Sequence, residues 1–381
     1  MSNTPLRTAH GLTKDPVAAD WPALRETDIQ RLLEQYPHLG ALHSLHWHSP
    51  RPFSAAGLIT TSSDTLFVKR HHQRVREAAW LEEEHRLIAH LHAHGAPVAA
   101  VERNRHGHTA TVQDEWTYEI HRVAAGVDLY RDALSWTPFQ SLQHAQAAGR
   151  ALAELHRAAA GYEAPARQAP VLVINAKLIE QTDPLAAIAA AAQADRALGA
   201  YLQDKDWHAQ LTDLLLPYHA ELLPLLQDQP PLWTHNDWHA SNLLWSDDSS
   251  TAVVSSVLDF GLADRTFALF DLANAIERNA VPWLDLDSGG TAPADLNAVD
   301  ALLAGYHAVT PLSADDLRTL VALLPLVHID FAVSEIAYFA GVVESVSSAD
   351  IAYHAYLIGH MHWFNGAEGQ RLLSHLAQVQ L

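Results

Sequence analysis

The chain contains no cysteine. Disulfides, thiolate metal sites and cysteine nucleophiles are therefore excluded. No apolar run approaches the ~20 residues that a membrane-spanning helix needs. The opening stretch MSNTPLRTAHGLTKD lacks the apolar centre of a secretion signal, so a cytoplasmic location is expected. Positive charge is in deficit: 24 Lys and Arg face 44 Asp and Glu, a formal net charge of −20. Such a field opposes adherence to nucleic acid or an anionic membrane and favours a cationic small molecule.

Hydrophobic residues make up 49% of the chain and charged residues 18%, as in an ordinary folded protein. At 381 residues the chain is too long for one compact core and suits two lobes. Residues 1–45 read as an N-terminal helical extension. Thr27 and Gln30 have capping-box spacing, and Ile29, Leu32 and Leu33 follow at helical intervals. Residues 46–123 read as a strand-rich N-lobe. In it GLITTSSDTLFVKR alternates apolar and polar residues around a Ser-Ser-Asp turn, the pattern of a hairpin. A long helix is predicted from about Arg74 to His94, closed by Gly95 and Pro97. Strand patterns return over 98–123, and Ala124-Ala125-Gly126 ends them.

Residues 124–381 read as a larger, mainly helical C-lobe. Helices are expected over Pro138–Ala160, after Asp183-Pro184, over Asp206–Leu226 and in four or five further segments. One of these starts at Ser313, with Asp316 completing a capping box. Two short strands are expected near 243–246 and 253–258. The fold class is therefore α+β, with no internal repeat. The 26 histidines are scattered and read as surface or helix-face residues.

Two segments carry chemistry. One is His235-Asn236-Asp237-Trp238-His239-Ala240-Ser241-Asn242. The other is Leu258-Asp259-Phe260-Gly261, which begins sixteen residues later. Phosphoryl transfer needs a carboxylate to orient and deprotonate a hydroxyl, and oxygen ligands to hold Mg²⁺ on the phosphates. Asp237 suits the first task, and Asn242 with Asp259 the second. The five-residue step from Asp237 to Asn242 lets one loop serve both.

HxDxxxxN followed by a DFG-like triplet resembles the catalytic and metal loops of the aminoglycoside phosphotransferase and choline kinase family. The resemblance implies a bilobal protein-kinase-like fold and an ATP- and Mg²⁺-dependent small-molecule kinase. It makes Asp237 the catalytic base, Asn242 and Asp259 the metal ligands, and His235 a brace. Phe270-Asp271-Leu272-Ala273 resembles the family's DLA segment, which makes Asp271 a support of the catalytic loop. Phe67-Val68-Lys69-Arg70 is similar to the family's ATP-lysine strand. Its helix partner would be Glu84, with Glu83 as the alternative. LAELH, ending at His156, is similar to the helix before the active site. The segment around Glu119, His121 and Val123 would receive adenine. Two departures stand out. Asn236 replaces the usual glycine, a residue that tolerates left-handed angles. RPFSAAG, Arg51–Gly57, lacks the glycines of a phosphate loop.

Two other readings use the same residues. HxDxH at His235, Asp237 and His239 could make a metal-dependent hydrolase. The fold could also be a non-catalytic nucleotide-binding module. For the acceptor, the candidates are Trp238, His239, Glu277, Arg278, Trp283, Asp285 and Asp287. The blander reading of these is core tryptophans and a solvated acidic loop.

Overall fold

The computed structural model describes residues 19–49, 53–286 and 291–381. Five strands, β1 Leu42–His48, β2 Ala55–Thr61, β3 Thr65–His72, β4 Thr111–Gln113 and β5 Trp116–Arg122, form an antiparallel sheet in the order β1-β2-β3-β5-β4. Alternation along β3 and β5 sorts their side chains into two faces. Leu66, Val68, Tyr118 and Ile120 are buried on one face with Ile29, Leu32 and Leu33 of helix α1, Glu26–Leu33. Phe67, Lys69, Glu119 and His121 lie on the other, with Lys69 directly opposite Glu119 and Phe67 opposite His121. That polar inner face meets helix α2, Ala78–Ala93.

The expected hairpin is present, and Thr61 Oγ1 caps its turn by accepting from Ser63 and Asp64 N–H. The capping box at Thr27 is not. Helix α1 starts two residues earlier, after Arg25, with no side-chain cap. Arg25 instead pairs with Asp28 at 2.9 Å. Helix α2 starts at Ala78 rather than Arg74, because Arg76 is buried and committed to carbonyls elsewhere. The strand pattern over 98–110 yields only isolated bridges at Val98 and Val101. Arg51 and Pro52 of the expected phosphate loop lie outside the described residues, and its end, Ala55–Gly57, belongs to β2.

After β5 the chain crosses at Gly126, where φ is +126° and a Cβ would fall 2.0 Å from Ser255 Oγ. The C-lobe follows with α3 Leu142–Ala159, α4 Pro184–Ala194, α5 Arg196–Leu202, α6 Trp207–Leu214 and α7 Leu216–Leu226. The single helix expected over Asp206–Leu226 is thus two, broken where Pro217 offers no N–H to the preceding turn. Strands β6 Pro231–Thr234 and β9 Asp264–Phe267 pair, as do β7 Leu243–Trp245 and β8 Val254–Val257. The β6–β9 pair was not visible as a sequence pattern.

Helices α8 Ala268–Ala280, α9 Leu296–His307, α10 Ala314–Leu323 and α11 Ile329–Tyr338 come next, with three more helices over 346–376. That is seven among the described residues rather than four or five. Wide π-type turns at Phe339–Val343 and Ala352–Ile358 divide the last ones. The Ser313–Asp316 capping box is formed in both directions. Gly149 lets α3 lie against α9, where a Cβ would fall 2.0 Å from the Leu302 carbonyl oxygen. Among the described residues no helix is long and apolar enough to cross a membrane.

Candidate active site

The loop from β6 to β7 is shaped by Asp271, a fully buried carboxylate near the start of α8. Its two oxygens accept from the backbone N–H of His235 and of Asn236, each at 2.8 Å. His156 at the end of α3 donates from Nε2 to the same carboxylate at 3.0 Å. This is a physical role for the LAELH and DLA segments: they hold the loop's backbone. Asn236 takes the left-handed conformation, φ +62°, and its side-chain amide donates to the Ile174 carbonyl at 2.8 Å. The residue that departs from the expected glycine therefore supports the turn twice.

His235 donates from Nε2 to the Leu258 carbonyl at 2.8 Å, and its Nδ1 accepts from the Asp237 N–H at 3.2 Å. Both ring nitrogens are used in bracing the catalytic loop against the Asp259 loop. Both nitrogens of His235 are engaged in holding the two loops together, which disfavours the hydrolase reading of HxDxH. His239 Nδ1 is likewise paired with Ser241 Oγ at 2.9 Å.

Asp237 is reached by three groups. Asn242 Nδ2 donates to its Oδ2 at 3.0 Å and to its backbone carbonyl at 2.9 Å. Arg278 Nε lies 3.4 Å from Oδ1, and His239 Nε2 lies 3.5 Å from Oδ2. Burial pushes the carboxyl up, but the charges of His239 and Arg278 outweigh it and hold it well below the usual carboxylate range.

The β7–β8 pair returns Asp259 to Asn242, with Leu258 N–H bonded to the Asn242 carbonyl at 2.9 Å. Asp259 has φ +57° and forms an ion pair with Lys69 Nζ at 2.9 Å. Burial raises the Asp259 carboxyl, yet Lys69 holds it below its ordinary value. With Asn242 Nδ2 committed to Asp237, its Oδ1 is the atom left for a cation. That oxygen and the Asp259 carboxylate form the hard-oxygen donor set that suits Mg²⁺.

The expected Lys69–Glu84 ion pair is replaced. Glu84 is buried and pairs with Arg167 Nη2 at 3.4 Å, while Lys69 turns to Asp259. Glu84 still faces this region, because its charge, with those of Asp259 and Glu119, outweighs burial and keeps Lys69 protonated. Glu83 instead accepts from the Gln168 N–H at 3.2 Å.

Arg167 and Arg76 were missed in the sequence. Arg167 donates to the Gly261 carbonyl at 2.9 Å, and so does Arg76. Two buried guanidiniums thus fix the loop that carries Asp259. The shared carbonyl is 94 residues from Arg167 and 185 from Arg76, which no residue pattern announces.

Two cavities adjoin. One, of about 260 Å³, lies between the lobes and is lined by Phe67, Ala99, His121, Val123, Leu244 and Leu258, with Glu119 at its rear. The other, of about 110 Å³, is lined by Trp136, Asp237, His239, Arg278, Phe331 and Glu335. Lys69, Asn242 and Asp259 line both. Glu119, placed with the adenine segment by sequence, instead sends its carboxylate to three histidines, 71, 85 and 121. Of the acceptor candidates, His239 and Arg278 line the second cavity. Trp238 and Trp283 are core residues, and Glu277 is buried with His360 Nδ1 at 2.9 Å in poor hydrogen-bond alignment. Asp285 is exposed, and Asp287 lies outside the described residues. Trp136, Phe331 and Glu335 were not anticipated.

A bilobal kinase-like fold with a carboxylate, an amide and a second carboxylate gathered between two cavities defines a class, the kinase-like phosphotransferases. Residues 54–317 match the phosphotransferase enzyme family, and the chain belongs to it. The fold is shared with an aminoglycoside phosphotransferase from Alicyclobacillus acidocaldarius at TM-score 0.51 and 15% identity, over 94% of this chain and 96% of that one. It is shared with a microcompartment-associated aminopropanol kinase at TM-score 0.56 and 18% identity, over 91% and 100%. A spectinomycin phosphotransferase, in complex with ADP and spectinomycin, matches at TM-score 0.54 and 13% identity, over 92% and 100%. None of the curated proteins matches the chain by sequence.

Proposed function

We propose that this chain transfers the γ-phosphoryl group of ATP to a hydroxyl of a small molecule. The acceptor class is an amino alcohol, an amino acid, a sugar or an aminoglycoside-like compound. One observation carries the reading. Lys69, Asn242 and Asp259 stand where the two cavities meet, and Asp237 lines only the smaller one. Donor and acceptor are thereby given separate rooms with a shared wall of charge. The solved relative that holds ADP and spectinomycin supports a nucleotide donor and a small-molecule acceptor. A cytoplasmic location belongs to the same proposal, because that is where the donor is found.

In this reading ATP occupies the inter-lobe cavity, its adenine among Ala99, Val123 and Leu258. Lys69 leaves Asp259 to contact the phosphates. Asn242 Oδ1 and the Asp259 carboxylate hold Mg²⁺, which when bound neutralises charge on the phosphate oxygens. Asp237 orients the acceptor hydroxyl and takes its proton as the new O–P bond forms and the bond to the β-phosphate oxygen breaks. ADP leaves. The low basicity of Asp237 suits a proton taken late, after most of the bond change, so positioning supplies more of the rate than deprotonation does. The test is an ADP-release screen over alcohols, amino alcohols, sugars and antibiotics, with Asp237→Ala as the blank. Release that depends on one acceptor and vanishes in the variant supports the reading. Near-normal turnover by the variant sinks it, and nucleotide binding without turnover on any acceptor favours the non-catalytic module.

A further inference from the structure

We propose that His85, Glu119 and His121 form a binding site for a divalent transition metal ion of the zinc class, at the rear of the inter-lobe cavity. It is separate from the Asn242–Asp259 pair and does not depend on ATP being the donor.

Geometry comes first. Glu119 and His121 are two apart on β5 and so share its inner face, and His85 reaches them from α2. The candidate ligand atoms of the three residues all lie within 4.8 Å of one another. Among the described residues this is the one such group. His85 Nε2 and His121 Nε2 each stand 2.7 Å from the same oxygen, Glu119 Oε2. A tetrahedral ion with bonds of about 2.0–2.1 Å separates its ligand atoms by about 3.4 Å. The two nitrogen–oxygen separations therefore need to open by about 0.7 Å, and the two nitrogens, within 4.8 Å of each other, need to close by at most about 1.4 Å.

Donor chemistry comes next. Two imidazoles and one carboxylate make a borderline nitrogen and oxygen set, which favours zinc-class ions over Mg²⁺. The carboxylate is already oriented. Its other oxygen, Oε1, accepts from His71 Nε2 at 3.0 Å, which leaves Oε2 turned to the two rings. This is the outer-shell support that metal ligands commonly carry. Three protein ligands leave a fourth position, and Glu119 and His121 line the cavity from which a water or ligand would fill it. Local charge is also suitable. Glu84, Glu119 and Asp259 stand among Lys69, Arg76 and Arg167, so cationic groups do not outnumber the carboxylates.

Without an ion, each ring donates from Nε2, and His85 Nδ1 is buried with no partner among the described residues. Coordination through Nε2 requires the proton that each ring donates to Glu119 to leave that atom, for Nδ1 or for solvent. Two N–H···O bonds are exchanged for three metal bonds. The ion would tie α2, next to Glu84, to β5 beside the cavity.

The experiment uses full-length protein stripped with a chelator and titrated with Co²⁺, read by its visible absorption. The expected result is the intense tetrahedral spectrum at one equivalent, displaced by Zn²⁺ and unaffected by excess Mg²⁺. His85→Gln and His121→Gln should each weaken binding by at least about tenfold, while Asp259→Asn leaves it unchanged. His121 is only half-buried, so its variant, checked by circular dichroism and melting, keeps the test open if His85→Gln fails to fold. The proposal is overturned by an octahedral-only or absent spectrum in the wild type. It is equally overturned by unchanged binding in folded His121→Gln, or by a signal lost in Asp259→Asn.

Discussion

Two of the deeply buried glutamates of the cleft, one in each lobe, meet opposite fates. Glu119, in the N-lobe, accepts from three imidazoles at 2.7–3.0 Å. Burial raises its carboxyl, but those histidines pull it well below the ordinary value. Glu335, on α11 in the C-lobe, has an oxygen, Oε2, with no hydrogen-bond partner among the described residues. There burial wins over the nearby Arg278 and pushes the carboxyl up to about 8. The two sites teach that burial alone does not decide ionisation; the supply of donors does. The Glu119 carboxylate beside the larger cavity is satisfied by its own neighbours. The smaller cavity keeps a polar group waiting, as a pocket for a polar ligand does.

Removing the Asp237 carboxylate of the smaller cavity should cost most. Asp237→Ala is expected to lower kcat by on the order of 10²–10⁴-fold, read by ADP release, with nucleotide affinity largely kept because Asp237 lines only the acceptor cavity. Glu119→Ala comes next. It removes one acceptor from three buried donors and should destabilise the metal-free fold by about 3 kcal/mol, read by denaturant unfolding.

Glu335→Gln should behave in the opposite way. Because the folded carboxyl is raised from 4.5 to about 8, the folded state binds the proton more tightly. The associated stability is full below about pH 4.5 and is lost as pH rises towards 8. The melting temperature of Glu335→Gln relative to wild type should therefore be near zero at pH 4.5 and positive by a few degrees at pH 8.5. An unchanged difference across that range would erase the contrast between the two glutamates. The smallest effect lies far from the cleft. Ser313→Ala removes one half of the capping box at the start of α10 and should cost about 1 kcal/mol, read as a small shift in melting.

The 235–242 loop was legible because its polar residues lie close along the chain. Asp237, Asn242 and their spacing sit on one short loop, and Asp259 returns to it through two adjacent strands. Glu84 was legible as a buried position on α2 but not as a partner of Arg167. That choice depends on a guanidinium more than eighty residues distant. The histidines show the same limit. In sequence, His71, His85 and His121 are three of 26. Only the register of β3 on β5 and the packing of α2 bring them to one carboxylate.

Composition, strand alternation and the HNDWHASN and LDFG segments were sufficient for the two lobes and for the grouping of Asp237, Asn242 and Asp259. Those features arise from contacts close along the chain, which residue order records directly. The partners of Lys69 and Glu84, the two arginines on Gly261 and the unpartnered oxygen of Glu335 were decided by packing. Each joins elements far apart in the chain, and the desolvation that makes such pairings matter exists only after the lobes have closed around them.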